Sequence, residues 1–147
     1  MSFYEKLVYA RKTPFLGKVF YLVLKMLGVE IPLGVQIGKG LMLHHGGIGV
    51  VIHPKSIIGN NVGIYPGVTL GRADVFRTAG RSKFSRIIVE DGVILGSGCK
   101  VLGDEGELVV GAGCVIGANA VLLQSTQPNE IWAGIPAKKV GMREPEL

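Results

Sequence analysis

The chain has few of the residues that mark secreted, disordered or membrane-spanning proteins. Its two cysteines, Cys99 and Cys114, are too few for a disulfide framework, lack the paired spacing of a metal site, and are expected to be buried thiols. Charged residues make up 18% and hydrophobic residues 48% of the 147, a balance that excludes a disordered chain. The apolar run near the N-terminus is interrupted by Lys18 and Lys25 and is too short to cross a bilayer. With no cleavable signal apparent, we expect a single cytoplasmic domain.

Aromatic residues are also scarce, at 7%, although the net charge is +5. Basic residues concentrate in the first 25 residues, in 72–86 and in 138–143, without the interleaved aromatic side chains of a single-strand platform. A basic surface suits a polyphosphate ligand as well as it suits a nucleic acid. We therefore expect no nucleic-acid partner.

Glycine, in contrast, is abundant, and its 23 residues are spread along the chain. Aliphatic residues recur every six positions in four runs: Ile31, Ile37, Leu43; Ile52, Ile58, Ile64, Leu70; Val89, Leu95, Val101; and Val110, Ile116, Leu122. A six-residue period fits neither an α-helix nor an alternating strand. It fits a mainly β solenoid of short strands joined by tight turns, at which glycine relieves strain. With roughly three hexapeptides in each coil, the chain holds about four to five coils.

The period is broken at three places, where we expect loops that carry binding chemistry. The step over 43–52 is nine residues instead of six and contains His44, His45 and a Gly-Gly pair. The step over 101–110 is also nine residues long. The polar and basic stretch at about 72–87 drops the pattern and is predicted to protrude from the solenoid.

Both ends lack the repeat, which divides the chain into three parts. Residues 1–28 are predicted to be helical, with Thr13 and Pro14 as a helix start signal. We favour a cap over the open end of the solenoid, and an interfacial helix resting on a membrane is the alternative. The repeat domain covers 29–141, and 142–147 forms a C-terminal tail.

Three segments, together with the repeat, resemble a known family. They are 40–46 (GLMLHHG), 62–71 (VGIYPGVTLG) and 133–137 (AGIPA). Over about 29–141 the chain resembles the serine acetyltransferase branch of the hexapeptide acyltransferases, which includes sugar O-acetyltransferases of surface-polysaccharide synthesis. The resemblance implies a left-handed parallel β-helix and a homotrimer, with acetyl-CoA in the groove between neighbouring solenoids.

The resemblance also implies catalytic residues. In this family a histidine at the position of His45 takes the proton from the acceptor hydroxyl, and a carboxylate fifteen residues earlier, here Glu30, orients that histidine. The family more often has Asp at this place. An alcohol is too weak an acid to attack a thioester at neutral pH, so a base with a pKa near neutrality is needed. His44 and Arg86 are candidates to contact the acceptor.

The cofactor side follows from family position as well. The backbone at Ser97 and Ala118 is expected to meet the pantetheine arm of CoA. Lys138 and Lys139 are candidates for its phosphates, because an ammonium group acts as a point charge toward phosphate. We expect no metal site.

Several alternatives remain open for the function. A sugar acceptor is favoured over L-serine because the mid-chain loop lacks the histidine that serine acetyltransferases place there, and because their large helical N-terminal domain is missing. The chain also ends in Leu147, where partners of cysteine synthase typically carry isoleucine. A zinc enzyme like the γ-class carbonic anhydrases would need His44, His45 and His53, and His53 is expected to be structural. A non-catalytic scaffold is the last alternative.

Overall fold

The computed structural model describes residues 1–144. Two helices come first, and a left-handed parallel β-helix follows them. Three parallel sheets form the sides of the solenoid, and each coil passes from sheet 1 to sheet 2 to sheet 3. The predicted fold class is therefore confirmed. Residues 145–147, the end of the predicted tail with Leu147, lie outside the described residues. No helix within 1–144 has the length and apolar content needed to cross a membrane.

Each sheet is built from strands that are one coil apart in the sequence. Sheet 1 contains β1 (Gln36–Ile37), β4 (Ile57–Ile58), β7 (Lys83–Val89) and β10 (Glu105–Val110). Sheet 2 contains β2 (Met42–Leu43), β5 (Gly63–Ile64), β8 (Ile94–Leu95), β11 (Val115–Ile116), β13 (Glu130–Ala133) and β14 (Lys138–Met142). Sheet 3 contains β3 (Val51–Ile52), β6 (Thr69–Arg72), β9 (Lys100–Gly103) and β12 (Val121–Leu122). The strand β14 is antiparallel to β13 and ends sheet 2 as a hairpin.

The six-residue period predicts the core. A strand of two residues directs one side chain inward and one outward, so each short strand contributes one aliphatic residue to the interior. The residue two positions before it, such as Val62, Val68 or Val93, is buried as well. Twelve of the thirteen repeat aliphatics are buried, and Ile37 is partly buried against the same core. Cys99 and Cys114 are buried among them, as expected. Burial raises the pKa of the Cys99 thiol to about 12, which makes that thiol unreactive at neutral pH.

The N-terminal segment forms two helices, α1 (Phe3–Ala10) and α2 (Gly17–Met26). Ser2 and Glu5 form a capping box at the start of α1. The predicted start signal at Thr13 and Pro14 is wrong, because α2 begins three residues after Pro14 and has no side-chain cap. The turn between the helices requires Gly17, since a Cβ there would overlap the Arg11 carbonyl oxygen.

Two of the three predicted loops are partly strand. The protruding loop covers only 73–82, and the residues up to Val89 return to the solenoid as β7. The step at 101–110 forms β9 and β10 with a single residue, Asp104, between them. The reason is that β7 and β10 are long and pair with each other from end to end except at Ser85, where the register shifts between Gly106 and Glu107. Hydrogen bonds between these two strands satisfy their backbone groups, so strands form here although the six-residue spacing is absent.

Candidate functional site

The histidine pair lies in a short turn, His44–Gly47, that joins sheet 2 to sheet 3 in the first coil. His45 has φ 53° and ψ 31°, a left-handed conformation that is uncommon for a residue with a side chain. Gly46 also has positive φ, and a Cβ there would lie 2.8 Å from the Tyr4 ring. The turn therefore needs glycine after His45, and it presents the His45 side chain to solvent.

His44 is held by an aromatic contact with the next coil. Its ring stacks on Tyr65 with centroids 4.1 Å apart and planes at 15°. A Cβ on Gly63 would lie 3.3 Å from Nε2 of His44, so the small residue makes room for the ring. His44 is half-buried as a result, beside the exposed His45.

The N-terminal helix fixes the start of this turn. Oε1 of Glu5 accepts a hydrogen bond of 3.0 Å from the backbone N–H of Leu43, the residue before the histidines. Burial by itself would raise the pKa of Glu5, but hydrogen bonds from the backbone of Ser2 and Leu43 hold that pKa below its usual value. Sequence reasoning missed this contact, although the Ser2–Glu5 capping pattern is visible in the sequence.

We expect Glu5→Ala to loosen the histidine turn and destabilise the protein. It would leave the buried N–H of Leu43 without an acceptor, a loss of about 1–3 kcal/mol in the free energy of unfolding. Thermal unfolding and kcat/KM measure the two effects. Glu5→Gln is the matched control, because its amide oxygen can still accept one bond. An unfolding midpoint for Glu5→Ala equal to that of the wild type would contradict this role.

The same contact predicts a pH dependence. Because the folded-state pKa of Glu5 is lowered, the carboxylate's contribution to stability is complete above the ordinary pKa of a glutamate. It is lost as the pH falls through the lowered value. The stability difference between wild type and Glu5→Gln should therefore be largest near neutral pH and disappear in acid.

The corners between sheets 2 and 3 stack into one lengthwise edge, which we call the His45 edge. It comprises 44–50, 65–68, 96–99 and 117–120. Three backbone hydrogen bonds join successive corners: Gly67 N–H to Ile48 O (2.9 Å), Gly98 N–H to Pro66 O (2.8 Å) and Asn119 N–H to Ser97 O (2.8 Å). Adjacent coils are about 4.8 Å apart, so His45 and the fourth corner are separated by roughly 14 Å.

Ser97 and Ala118 are exposed on this edge, in the third and fourth corners. The Ser97 hydroxyl donates to the Pro66 carbonyl oxygen at 3.3 Å. Gly96 allows these two corners to approach, since a Cβ on it would lie 2.8 Å from the Ala118 backbone nitrogen. The predicted cofactor-binding positions thus share an edge with His45.

Lys100 supports the edge from sheet 3, a feature that the sequence does not indicate. Its ammonium group donates to the carbonyl oxygens of Gly67 and Gly98, both at 2.8 Å. Two stacked corners are thereby tied together by one side chain.

Lys138 and Lys139 lie on β14, past the last coil. Nζ of Lys139 is 3.2 Å from Oε1 of Glu130. Hydrogen bonds from Trp132 and the Gln127 backbone, together with Lys139, lower the pKa of Glu130. Lys138 is exposed and has no ion pair within residues 1–144. Of the two lysines, Lys138 is therefore the one whose charge is unengaged.

Glu30 follows the second helix and lies beside Val51 of β3. Its Oε1 is 3.4 Å from Nζ of Lys25, in an ion pair that is partly exposed. No hydrogen bond joins Glu30 to His45 in the described part of the chain, so their predicted pairing stays a prediction. Glu30 also lines a groove of about 590 Å³ on sheet 3, together with His53 and Thr69.

Arg86 lies on sheet 1, a different side of the solenoid from the histidine turn. Its Nε is 3.4 Å from Oε1 of Glu107 on the neighbouring strand. The structure of one chain therefore does not bring Arg86 together with His44 as a single acceptor pocket. Arg86 lines a separate groove of about 470 Å³, together with Gln36 and Ser56.

The protruding loop at 73–82 is organised by a partly buried ion pair. Nε of Arg72 is 2.9 Å from Oδ1 of Asp74, which is 3% exposed. The Arg72 guanidinium also donates to the carbonyl oxygens of Asp74 and Arg77. The apolar side chains of Val75 and Phe76 are left exposed at the tip.

The third histidine has local contacts. Nδ1 of His53 accepts from the Lys55 backbone N–H at 3.2 Å, and the ring meets Phe84 edge-on at 5.0 Å between centroids. Burial, with Lys55 and Arg72 nearby, lowers the pKa of His53. In the described residues of one chain, no group of three His, Cys, Asp or Glu side chains is arranged to hold a metal ion.

Comparisons with known proteins agree with this architecture, although no family model matches the chain. The serine acetyltransferase of Escherichia coli strain K12 is 38% identical over 113 residues, which are 77% of this chain and 38% of that protein. A serine acetyltransferase structure from Vibrio cholerae O1 biovar El Tor N16961 has a TM-score of 0.76 and 30% identity, and covers 97% of this chain and 53% of its own. A serine acetyltransferase from Brucella abortus strain S19, in complex with coenzyme A, has a TM-score of 0.75 and 26% identity, with coverages of 96% and 54%. The chain thus spans about half or less of the length of these proteins. By sequence and fold together, it belongs to the serine acetyltransferase-like branch of the hexapeptide-repeat acyltransferases.

Proposed function

We propose that the chain is an acetyl-CoA-dependent O-acetyltransferase that acts on a hydroxyl of a small acceptor, with L-serine as the first candidate. The residue pattern of the mid-chain loop favours a sugar instead. The relatives compared above are serine acetyltransferases, and they support the alternative better than that preference. Because the chain spans only part of their length, its own activity needs a direct test.

One observation carries the proposal: His45, Ser97 and Ala118 are exposed along a single edge, in that order. A long, narrow pantetheine arm laid along the His45 edge would pass Ala118 and Ser97 with its thioester toward His45. The exposed ammonium group of Lys138 lies past the last coil, at the end where the phosphates of CoA would then be. The arrangement suits a linear cofactor with a reactive group at one end and charge at the other.

The chemistry follows from this placement. The His45 imidazole takes the proton of the acceptor hydroxyl as its oxygen attacks the thioester carbonyl carbon. The tetrahedral oxyanion collapses, the carbon–sulfur bond breaks, and the imidazolium returns the proton to the CoA thiolate. General-base assistance of this kind contributes on the order of 10²–10⁴ in rate. No covalent enzyme intermediate is required.

Glu30 is proposed to orient His45 once substrates are bound. Its present partner is Lys25, and an exposed ion pair of this kind contributes about 0–1 kcal/mol. The carboxylate can therefore exchange Lys25 for the imidazole at little cost. Its hydrogen bond to the ring would fix the tautomer and stabilise the imidazolium that forms.

A homotrimer completes the proposal. In one chain, His44 and Arg86 lie on different sides of the solenoid, so a shared acceptor pocket requires a second copy. The apolar tip of the 73–82 loop, at Val75 and Phe76, would then contact a neighbouring copy rather than solvent. The cytoplasmic location expected from the sequence belongs to this proposal as well.

CoA release from acetyl-CoA tests the function directly. We expect turnover with L-serine in an assay that also offers a panel of sugars and nucleotide sugars. Turnover with a sugar and none with L-serine would keep the acetyl transfer and reject the serine acceptor. No CoA release above the hydrolysis background with any acceptor, from protein that binds CoA, would reject the enzyme assignment.

The sugar acceptor remains the second candidate because of the 73–82 loop. This loop contains no histidine and presents Arg77 and Arg81 instead. Its fold depends on the Arg72–Asp74 ion pair. A loop that carries arginines and no histidine favours an acceptor other than L-serine. The same panel of acceptors decides between a sugar and L-serine.

A further inference from the structure

The second helix exposes an apolar face to solvent. Val19, Leu22 and Met26 are 52%, 56% and 87% exposed, and Phe15, four residues before Val19, is fully exposed. The spacing of three and four residues places Val19, Leu22 and Met26 on one side of α2. Phe15 precedes the helix, in a turn where its φ is 66°. The opposite side, with Gly17 and Leu24, packs on the protein. A surface helix normally turns polar residues outward, so this face is suited to an apolar environment.

The segment that carries this face contains charged residues of one sign only. Residues 6–29 contain five basic residues and no acidic residue: Lys6, Arg11, Lys12, Lys18 and Lys25. Lys18 and Lys25 are seven residues apart and lie along one border of the apolar side of α2, where they would meet the headgroups of a membrane interface. Lys25 pairs with Glu30, and Lys12 and Lys18 have no ion pair within residues 1–144. Two copies of this face in contact would bring lysine against lysine, so an anionic occupant fits better.

A cavity of about 630 Å³ opens at the start of the same helix. Polar walls come from Arg11, Lys12, Thr13 and Lys18, and apolar walls from Phe15 and Leu33. The backbone N–H groups of Lys18 and Val19 have no acceptor in the described part of the chain, because α2 lacks a side-chain cap. Unpaired N–H groups at a helix N-terminus favour an anion, and phosphate above all.

Arg11 adds a second, independent observation at this cavity. The residue is 1% exposed, and only its NH2 group has a partner, the Val35 carbonyl oxygen at 2.7 Å. Its Nε and NH1 have no hydrogen-bond partner, and no carboxylate among residues 1–144 neutralises it. A buried charge without a counter-ion is costly, so an anion in the adjoining cavity would compensate the positive charge of the Arg11 guanidinium.

We propose that the N-terminal helices dock on an anionic phospholipid surface, with the apolar face of α2 in the interface and a lipid phosphate in the cavity at Arg11, Lys12, Thr13 and Lys18. An amphipathic ligand satisfies both features at once, since the exposed Phe15 belongs to the cavity and borders the apolar face. Docking of this kind needs no membrane-spanning segment. It is independent of acetyl transfer.

Co-sedimentation of the whole chain with vesicles tests the proposal. We expect binding to phosphatidylcholine vesicles that contain phosphatidylglycerol, little binding to phosphatidylcholine alone, and weaker binding as salt is raised. The double variant Lys12→Gln/Lys18→Gln should bind about 25-fold more weakly, from about fivefold for each lysine. The matched control Lys39→Gln/Lys55→Gln removes the same charge from exposed sites outside the helices and should have a much smaller effect.

The apolar face has its own variant, Val19→Gln/Leu22→Gln/Met26→Gln. Glutamine keeps helix propensity, so the fold should persist while vesicle binding is lost and lipid-free acetyl transfer is unchanged. Vesicle binding that survives both variants overturns the proposal. Calorimetric binding of inorganic phosphate that requires Lys12 and Lys18, without vesicle binding, also overturns it, in favour of a free-phosphate site. A variant that changes the sedimentation coefficient and not vesicle binding would assign the face to a second copy instead.

Discussion

His45→Asn should lower kcat by at least about 10²-fold while acetyl-CoA binding stays near the wild-type value. Asparagine is the sharper substitution, because His45 has φ 53° and asparagine tolerates this left-handed conformation better than other residues with a side chain. His45→Ala removes the base as well, but adds backbone strain to the turn. Loss of kcat with unchanged CoA affinity would place the defect in proton transfer.

Two controls make this result specific. His44→Asn removes the neighbouring imidazole and its stacking on Tyr65, and we expect a raised KM for the acceptor with a smaller change in kcat. Thermal unfolding of His45→Asn should stay close to the wild type because this ring is exposed, and His44→Asn should lose a little stability with the Tyr65 contact. Near-normal turnover of His45→Asn would remove His45 as the base and, with it, the proposed mechanism.

The repeat makes the interior of this protein predictable from its sequence. Each two-residue strand buries one aliphatic side chain, so the spacing from Ile31 to Leu122 maps directly onto buried positions. Strands β7 and β10 do not follow the six-residue spacing. Ser85 has no partner in the register between them, because Phe84 pairs with Gly106 and Arg86 with Glu107. A bulge of this kind breaks the alternation of buried side chains, and a sequence pattern shows it as a loop.

The positions proposed for the candidate site came from the family resemblance and, except for His45, not from any local pattern of residues. The stacked corners place His45, Ser97 and Ala118 on one edge, and the break in the repeat marks the first of them. The contact of Glu5 with Leu43 joins residues 38 positions apart, and no local pattern encodes that pairing. Glu30 illustrates the opposite case, since its contact is to Lys25, five residues away, rather than to the more distant imidazole.

Gly96→Ala should destabilise the solenoid and weaken acetyl-CoA binding together. Gly96 does not have a positive φ, so glycine is needed there because of the close approach of the next coil and not because of the backbone conformation. A Cβ there would lie 2.7 Å from the Ile116 carbonyl oxygen and 2.8 Å from the Ala118 nitrogen. The two coils must separate to admit the methyl group, which weakens the 2.8 Å hydrogen bond from Gly96 N–H to Ile116 O. Overpacking of this kind destabilises by about 1–3 kcal/mol.

The measurement is a thermal unfolding curve, with an expected fall in Tm of roughly 3–10 °C for a chain of this size. The KM for acetyl-CoA should rise in the same variant, because the corners that carry Ser97 and Ala118 are the ones forced apart. Gly80→Ala is the matched control: nothing lies within 4 Å of a Cβ at Gly80, on the protruding loop. Equal Tm values for the two variants would show that the third and fourth coils are not in close contact at this edge. A normal KM in a destabilised Gly96→Ala variant would keep the packing and move the CoA arm away from the His45 edge.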